Sequence, residues 1–354
     1  MKYKILYLED QKADSLVADF RQFDIELIVD KAETINSTID AMTNSSYDAF
    51  LMDYRLSQGK GSLNAPAFAG FLKTEDKRGK SVQAPVIMIT NETSLHILNS
   101  KESDQDLFDI VMRKDDYNNN KEECVSRIIS YIESYRKVKN CGFKLDDVLS
   151  LSKVDLKAFV DSRLLKELLY VKEEKNIFKY LRLLTKYLLS SPGSLINEDY
   201  LAARMGIDIK TSGDSWKVFL NKIESCKYTG VFSDFMKRWW MPKIDNWWKN
   251  LHPSISLRLS EAKERVDILN HDYNLTLTTA KVIDGCESTN FWAVCKALKR
   301  PIDPAEGYVC NDRYKMPWEE NEFISAVGAL EYPEYQKMLS DIDKKEVRNY
   351  GKKN

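Results

Sequence analysis

Residues 47–56 read YDAFLMDYRL, an apolar run that closes on an acid, Asp53, where a turn residue would be ordinary. A carboxylate at the carboxyl end of a buried strand costs free energy unless something there uses its charge. Taken alone, Asp53 reads as an acid leaving the strand for water, because acids are mostly exposed. The surrounding pattern changes that reading. Strand-like segments recur at ILYL (5–8), IELIV (25–29), YDAFLM (47–52), APVIMI (84–89) and FDIVM (108–112). Helix-like stretches alternate with them around 11–23, 35–45, 65–79, 94–101 and 119–138. Five strands alternating with five helices predict an α/β fold, a doubly wound parallel sheet. Such a sheet binds ligands at the carboxyl ends of its strands.

Chemistry-bearing residues gather at those ends. Glu9 and Asp10 follow the first strand, Asp53 closes the third, Thr90 follows the fourth and Lys114 follows the fifth. Converging carboxylates repel one another and are stable together mainly around a divalent cation. An oxygen-rich, incompletely filled site suits Mg²⁺.

The acidic pair in LYLEDQ, the acceptor in LMDYRL, the hydroxyl in IMITNE and the lysine in VMRKDD resemble the receiver domain of two-component response regulators. The resemblance covers residues 1–139 and implies a flavodoxin-like, five-stranded parallel sheet. It implies that Asp53 accepts a phosphoryl group from a histidine kinase. Glu9, Asp10, Asp53 and the backbone carbonyl of Arg55 would hold Mg²⁺. The metal and Lys114 would neutralise transition-state charge, and Thr90 would donate to a phosphoryl oxygen. No enzyme activity is implied beyond self-catalysed transfer to Asp53 and slow autodephosphorylation. Three features depart from the family. Asp115 follows the lysine where proline is usual, Val111 stands where an aromatic is usual, and TEDKRGKSVQ (74–83) is a charged excursion. Arg55 and Glu92, each two residues past a site residue, would tune phosphoryl lifetime.

The bulk numbers fit a multidomain globular chain. At 354 residues it should hold two or three domains, and it is 43% hydrophobic and 30% charged. A net charge of −1 gives no prior for a nucleic-acid partner, although acids exceed bases over the first 140 residues and bases exceed acids after them. No apolar run is long enough to span a membrane. MKYKILYLED lacks a secretory pattern, and six cysteines without a CxxC pair read as reduced thiols. A cytoplasmic location is expected.

NCGFKLDDVLSLSK, covering 140–153, reads as a hinge before a mainly α-helical second half at 154–354. Apolar residues from Leu156 to Leu188 recur at helical spacing, and a helical pair there could pack within the chain or self-associate. LINEDYLAARMGIDIKTSGDSWKVFLNKIES (195–225) followed by CKYTGVF (226–232) resembles a winged-helix-like module, with the last segment as wing strand. In a DNA reader its second helix would offer Lys217, Asn221 and Lys222, with Lys210 and Thr211 on phosphates. MKRWWMPKIDNWWKN (236–250) places Trp239 and Trp240 before the breaker Pro242, and Trp247 and Trp248 after it. Core packing competes there with base stacking or a membrane surface. A helix is expected after Pro317. The three histidines, His96, His252 and His271, form no metalloprotease motif, and no Walker loop or kinase signature is present.

The favoured reading is a cytoplasmic, response-regulator-like phosphoprotein of a two-component phosphorelay. Its second half would contact protein partners or itself. A phosphoryl sink that buffers a kinase and a DNA-binding transcriptional regulator are the alternatives. The architecture also looks somewhat like components of antiphage (antiviral) defence systems, without a motif behind the impression.

Overall fold

A computed structural model describes residues 1–31, 46–54, 56, 64–74, 83–91, 106–311 and 315–353. Arg55, Glu92, His96, the helices expected around 35–45 and 94–101 and most of the 74–83 excursion lie outside the described residues. The described chain divides into two compact units: residues 1–149, 166–182 and 230–235, and residues 150–165, 183–229 and 236–354.

In the first unit the strands are β1 (Tyr3–Leu8), β2 (Ile25–Asp30), β3 (Ala49–Asp53), β4 (Val86–Thr90) and β5 (Ile110–Arg113). They form one parallel sheet in the order β2-β1-β3-β4-β5. That is the flavodoxin-like order of a doubly wound sheet. Successive strand side chains point to opposite faces, so each strand feeds two cores. Ile5, Tyr7, Leu51, Ile87 and Ile89 pack with Phe20 of α1 (Asp14–Gln22) on one face. Leu6, Leu8, Phe50, Met52 and Met88 pack with Phe68, Ala69 and Leu72 of α2 (Ala65–Thr74) on the other. Two further helices come after β5, α3 (Lys114–Asn119) and α4 (Lys121–Asn140), and α4 buries Val125, Ile128 and Ile132 on the α1 side.

The 140–153 segment is folded over most of its length. After a turn in which Gly142 and Phe143 both have φ +60, α5 (Leu145–Leu149) buries Val148 and Leu149 completely. Residues 166–182 and 230–235 complete this unit. The Tyr180 ring meets Phe143 edge-on at 5.3 Å, and Arg182 pairs with Asp106. Phe232 packs on Tyr131 at 4.7 Å, and its amide donates to Ser134 Oγ at 3.2 Å. The helical residues 166–182 thus pack inside the chain.

The second unit begins its core with β6 (Leu195–Ile196), α6 (Glu198–Met205), α7 (Ile209–Ser212) and α8 (Asp214–Lys222). Asn197 caps α6 by accepting from the Tyr200 amide. Gly206 ends it at φ +78, where a Cβ would lie 2.6 Å from Ala262 Cα. Helices over 198–205 and 214–222 are therefore present, with Gly206 and the short α7 between them, but the expected wing strand is not. Residues 226–232 form turns with a single bridge, Lys227 to Trp239, and the strand that pairs with β6 is β7 (Trp239–Trp240). CKYTGVF is apolar because it is buried, not because it is extended: Cys226, Tyr228, Val231 and Phe232 are all core residues.

Pro242 starts a helix instead of breaking one. It sits in the first turn of α9 (Met241–Leu251), where its missing N–H would have no intrahelical partner. Trp239, Trp240 and Trp248 are each 1–2% exposed, and Trp248 Nε1 donates to the Ile255 carbonyl at 2.9 Å. Trp247 stacks on Tyr273 of α10 (Ala262–Tyr273) with centroids 6.3 Å apart. These indoles are core and are not a platform for bases or lipid. No helix begins directly at Pro317; the next starts at Ala326, capped by Ser325. No helix among the described residues is long and apolar enough to cross a membrane.

Candidate functional site

The sheet register sets the site. Leu8 pairs with Met52 and Asp53 with Ile89, so Glu9, Asp53 and Thr90 fall at adjacent strand ends. Thr90 pairs with Arg113, which places Lys114 one step beyond β5. Lys114 is the first residue of α3, so a helix begins where the family pattern calls for a loop after the lysine. Its ammonium reaches back across the strand ends to Glu9 Oε2 at 3.2 Å and Asp53 Oδ1 at 3.4 Å.

Each acid is in a different environment. Glu9 is 4% exposed, accepts the Tyr7 hydroxyl on Oε2 at 2.7 Å and accepts the Gln11 amide on Oε1 at 3.2 Å. Burial alone would raise its pKa, but the Tyr7 hydroxyl and the Lys114 ammonium together hold it below the ordinary glutamate value. Asp53 is pushed up by burial and by the charge of Glu9, against the pull of Lys114. Asp10 is likewise raised, by burial and by its hydrogen bond and proximity to Glu9. Asp53 Oδ1 is buried and accepts no hydrogen bond among the described residues. Thr90 is 1% exposed at the end of β4.

Glu9, Asp53 and Lys114 are thus brought into contact, with Asp10 against Glu9 and Thr90 at the next strand end. Arg55 lies outside the described residues. Two acidic groups kept above their ordinary pKa, one with an orphaned buried oxygen, are a donor set that fits a hard divalent cation. No group of three or more His, Cys, Asp or Glu among the described residues is drawn together closely enough to bind a metal on its own. Lys114 occupies the space between two of the acids, so a cation there would have to share or displace its charge.

Two tyrosines belong to this site and were not singled out from the sequence. Tyr7 is two residues before Glu9, which directly follows β1, and the Tyr7 hydroxyl reaches Glu9 on the same side of the chain; that i, i+2 relation was the available signal. Tyr117 of α3 stacks on Phe20 at 5.8 Å, and its buried hydroxyl lacks a partner among the described residues. Tyr7, Glu9, Lys114 and Tyr117 line a cavity of about 180 Å³. Val111 is only partly buried at the edge of the opposite core.

The residues named for DNA contact lie elsewhere, in the second unit. Lys217, Asn221 and Lys222 are exposed on α8 and Lys210 on α7. Lys217 is paired with Asp214 at 2.9 Å, and Lys222 lies over the Tyr273 ring at 5.6 Å.

No protein-family model matches the chain, and no curated protein matches it in sequence. Among solved structures it is similar to a receiver domain (CheY-like) from Methylobacillus flagellatus, at 16% identity and a TM-score of 0.24, covering 32% of this chain and 86% of that one. A response regulator receiver domain from Clostridium thermocellum is similar at 18% identity and a TM-score of 0.21, covering 32% and 82%. An adenylate cyclase structure from Rhodopirellula baltica is similar at 16% identity and a TM-score of 0.29, covering 41% and 98%.

Proposed function

We propose that the first unit is a response-regulator-like signalling module that accepts a phosphoryl group on Asp53. The observation that carries the reading is the buried, unsatisfied Asp53 Oδ1 at a strand end, with the Lys114 ammonium 3.4 Å away. A carboxylate oxygen held there beside a single ammonium is positioned to act as a nucleophile. Its oxygen attacks phosphorus, the phosphorus–nitrogen bond of a kinase phosphohistidine breaks, and the neutral imidazole leaves with its electron pair. Glu9, Asp10 and Asp53 are the residues that would hold Mg²⁺, which when bound supplies charge neutralisation at the phosphoryl oxygens. Lys114 contributes a fixed positive charge to the same oxygens, and Tyr7 keeps Glu9 ionised and oriented. Thr90, at the end of the adjacent strand, would donate a hydrogen bond to a phosphoryl oxygen of the adduct.

Val111 favours a second reading of the same chemistry. Its short side chain cannot make the inward swing of a ring, so the phosphoryl group could be drained from a kinase without a conformational output through β5. The cognate partner would in either case be a histidine kinase.

The test is intact-protein mass after adding Mg²⁺ and acetyl phosphate, with Asp53→Ala in parallel. An added phosphoryl mass on the parent and none on the variant supports the reading, and the decay rate separates a lasting switch from a sink. Absence of the adduct with both acetyl phosphate and a phosphorylated kinase would overturn it.

A further inference from the structure

The second unit contains a cavity of about 440 Å³ that has no part in the phosphoacceptor chemistry. That size is within the range of small-molecule sites. Its apolar lining includes Ala202, Ile207, Val294 and Pro301. Four cations line it as well, Lys210, Lys281, Lys299 and Arg300, against two acids, Asp199 and Asp208.

The cations outnumber the acids, and no ion pair among the described residues joins them. Asp208 caps α7, accepting the Thr211 amide at 3.0 Å. Asp199 also lines a second cleft, which holds Arg238. Lys210, Lys281 and Lys299 are exposed and make no ion pair among the described residues. Arg300 donates one guanidinium N–H to the Val282 carbonyl at 2.8 Å, which fixes the group while leaving it other donors.

The backbone holds this charge in place. CKALKR (295–300) is the turn between β8 (Ala293–Val294) and β9 (Pro301–Ile302). Its ends are tied by Cys295 N to Arg300 O and Lys299 N to Cys295 O, both 2.8 Å. Lys299 adopts φ +54, a conformation in which Gly, Asn and Asp are the comfortable residues. Lys296 in the same turn is paired with Glu322 at 3.1 Å, which leaves Lys299 as an unneutralised cation of the turn. Like charges gathered around an apolar recess repel, and an anion seated there relieves the repulsion.

We propose that this cavity binds a small phosphorylated ligand with a ring or apolar body, of the nucleotide class. The phosphates meet Lys281, Lys299 and Arg300, and the body lies on Ala202, Val294 and Pro301. A compact ligand is favoured over a nucleic-acid backbone because the unpaired cations surround a recess, while Lys217 on the open face of α8 is already neutralised.

The test is calorimetric titration of the full chain, without Mg²⁺, using ATP, inorganic pyrophosphate and a short duplex DNA as probes. Saturable one-to-one binding is expected, tighter for ATP than for pyrophosphate. Lys299→Asn keeps a residue that tolerates the left-handed conformation, and Lys281→Gln keeps the side-chain length. Each should weaken ATP binding ~tenfold or more, the loss of one charge-assisted hydrogen bond. Lys217→Gln and Asp53→Ala should leave binding unchanged, which separates this site from the phosphoacceptor. The proposal is overturned if neither ATP nor pyrophosphate saturates, if Lys217→Gln weakens binding as much as Lys299→Asn, if pyrophosphate binds as tightly as ATP, or if only duplex DNA binds.

Discussion

Lys114 holds its ammonium between two carboxylates of the first unit, 3.2 Å from Glu9 Oε2 and 3.4 Å from Asp53 Oδ1. The second contact is an ion pair whose charge pulls the Asp53 pKa down against the effect of burial. That combination has consequences for chemistry and for stability, and they can be measured separately.

Lys114→Met removes the fixed positive charge and keeps the apolar stem. Phosphoryl uptake at Asp53 from acetyl phosphate should slow by ~10²–10³, the usual cost of deleting one preorganised charge donor. Time courses of intact mass measure it. An unchanged rate would remove Lys114 from the chemistry.

The pKa of Asp53 is raised by burial, so the folded chain holds this proton more tightly than the unfolded chain does. Stability from the group is fully present below the ordinary aspartate pKa and is lost as pH rises through the folded value. Asp53→Asn has no such loss. It should therefore unfold at a higher temperature than the parent at pH 7, by ~2–4 °C if the gain is about 1 kcal/mol. The advantage should shrink as the pH is lowered towards 4. A constant or inverted difference across that range would count against a raised Asp53.

Glu9 runs the other way, because Tyr7 and Lys114 hold its pKa down against burial. Its contribution is present above the ordinary glutamate value and is lost as pH falls through the folded one. Tyr7→Phe deletes a 2.7 Å bond to a buried carboxylate and should cost ~1.5–3 kcal/mol at pH 7. Urea unfolding across a pH series from 7 downward tests this, with the difference expected to shrink as pH falls through the folded value of Glu9.

Gly206→Ala and Gly142→Ala separate strain from collision. Both glycines have positive φ, +78 and +60, but only at Gly206 would a Cβ meet backbone, at 2.6 Å from Ala262 Cα. Gly142 faces open space. The Gly142 change should cost about 1 kcal/mol. The Gly206 change adds overpacking against α10 and should cost ~3 kcal/mol or more. Equal midpoints in a denaturant series would show that α6 and α10 do not approach as closely as described.

The first unit was legible because its signals are local. A parallel strand buried on both faces is a short apolar run, and the end of such a run is visible in the sequence. Glu9, Asp10, Asp53, Thr90 and Lys114 are therefore found at strand ends by position alone. Tyr7 is not legible as a site residue although it lies two residues before Glu9, since a tyrosine in an apolar run reads as core. In the second unit the strands are two residues long, too short to show a period. Pro242 looked like a breaker because its role at a helix start depends on where the preceding strand ends, and CKYTGVF looked extended because burial and extension share a composition.

The sequence by itself determined the alternating sheet, the acids and lysine at its edge, and the mainly helical character of the second half, because each is set by spacing within ten or twenty residues. The tertiary structure alone decided three things. Lys114 meets Glu9 across 105 residues of chain. The tryptophans of 236–250 face inward. Lys210, Lys281 and Lys299 share one cavity while Lys217 and Lys296 are neutralised by neighbouring acids. Those outcomes depend on which distant segments share a core and on which charges find partners there, and no local period encodes either.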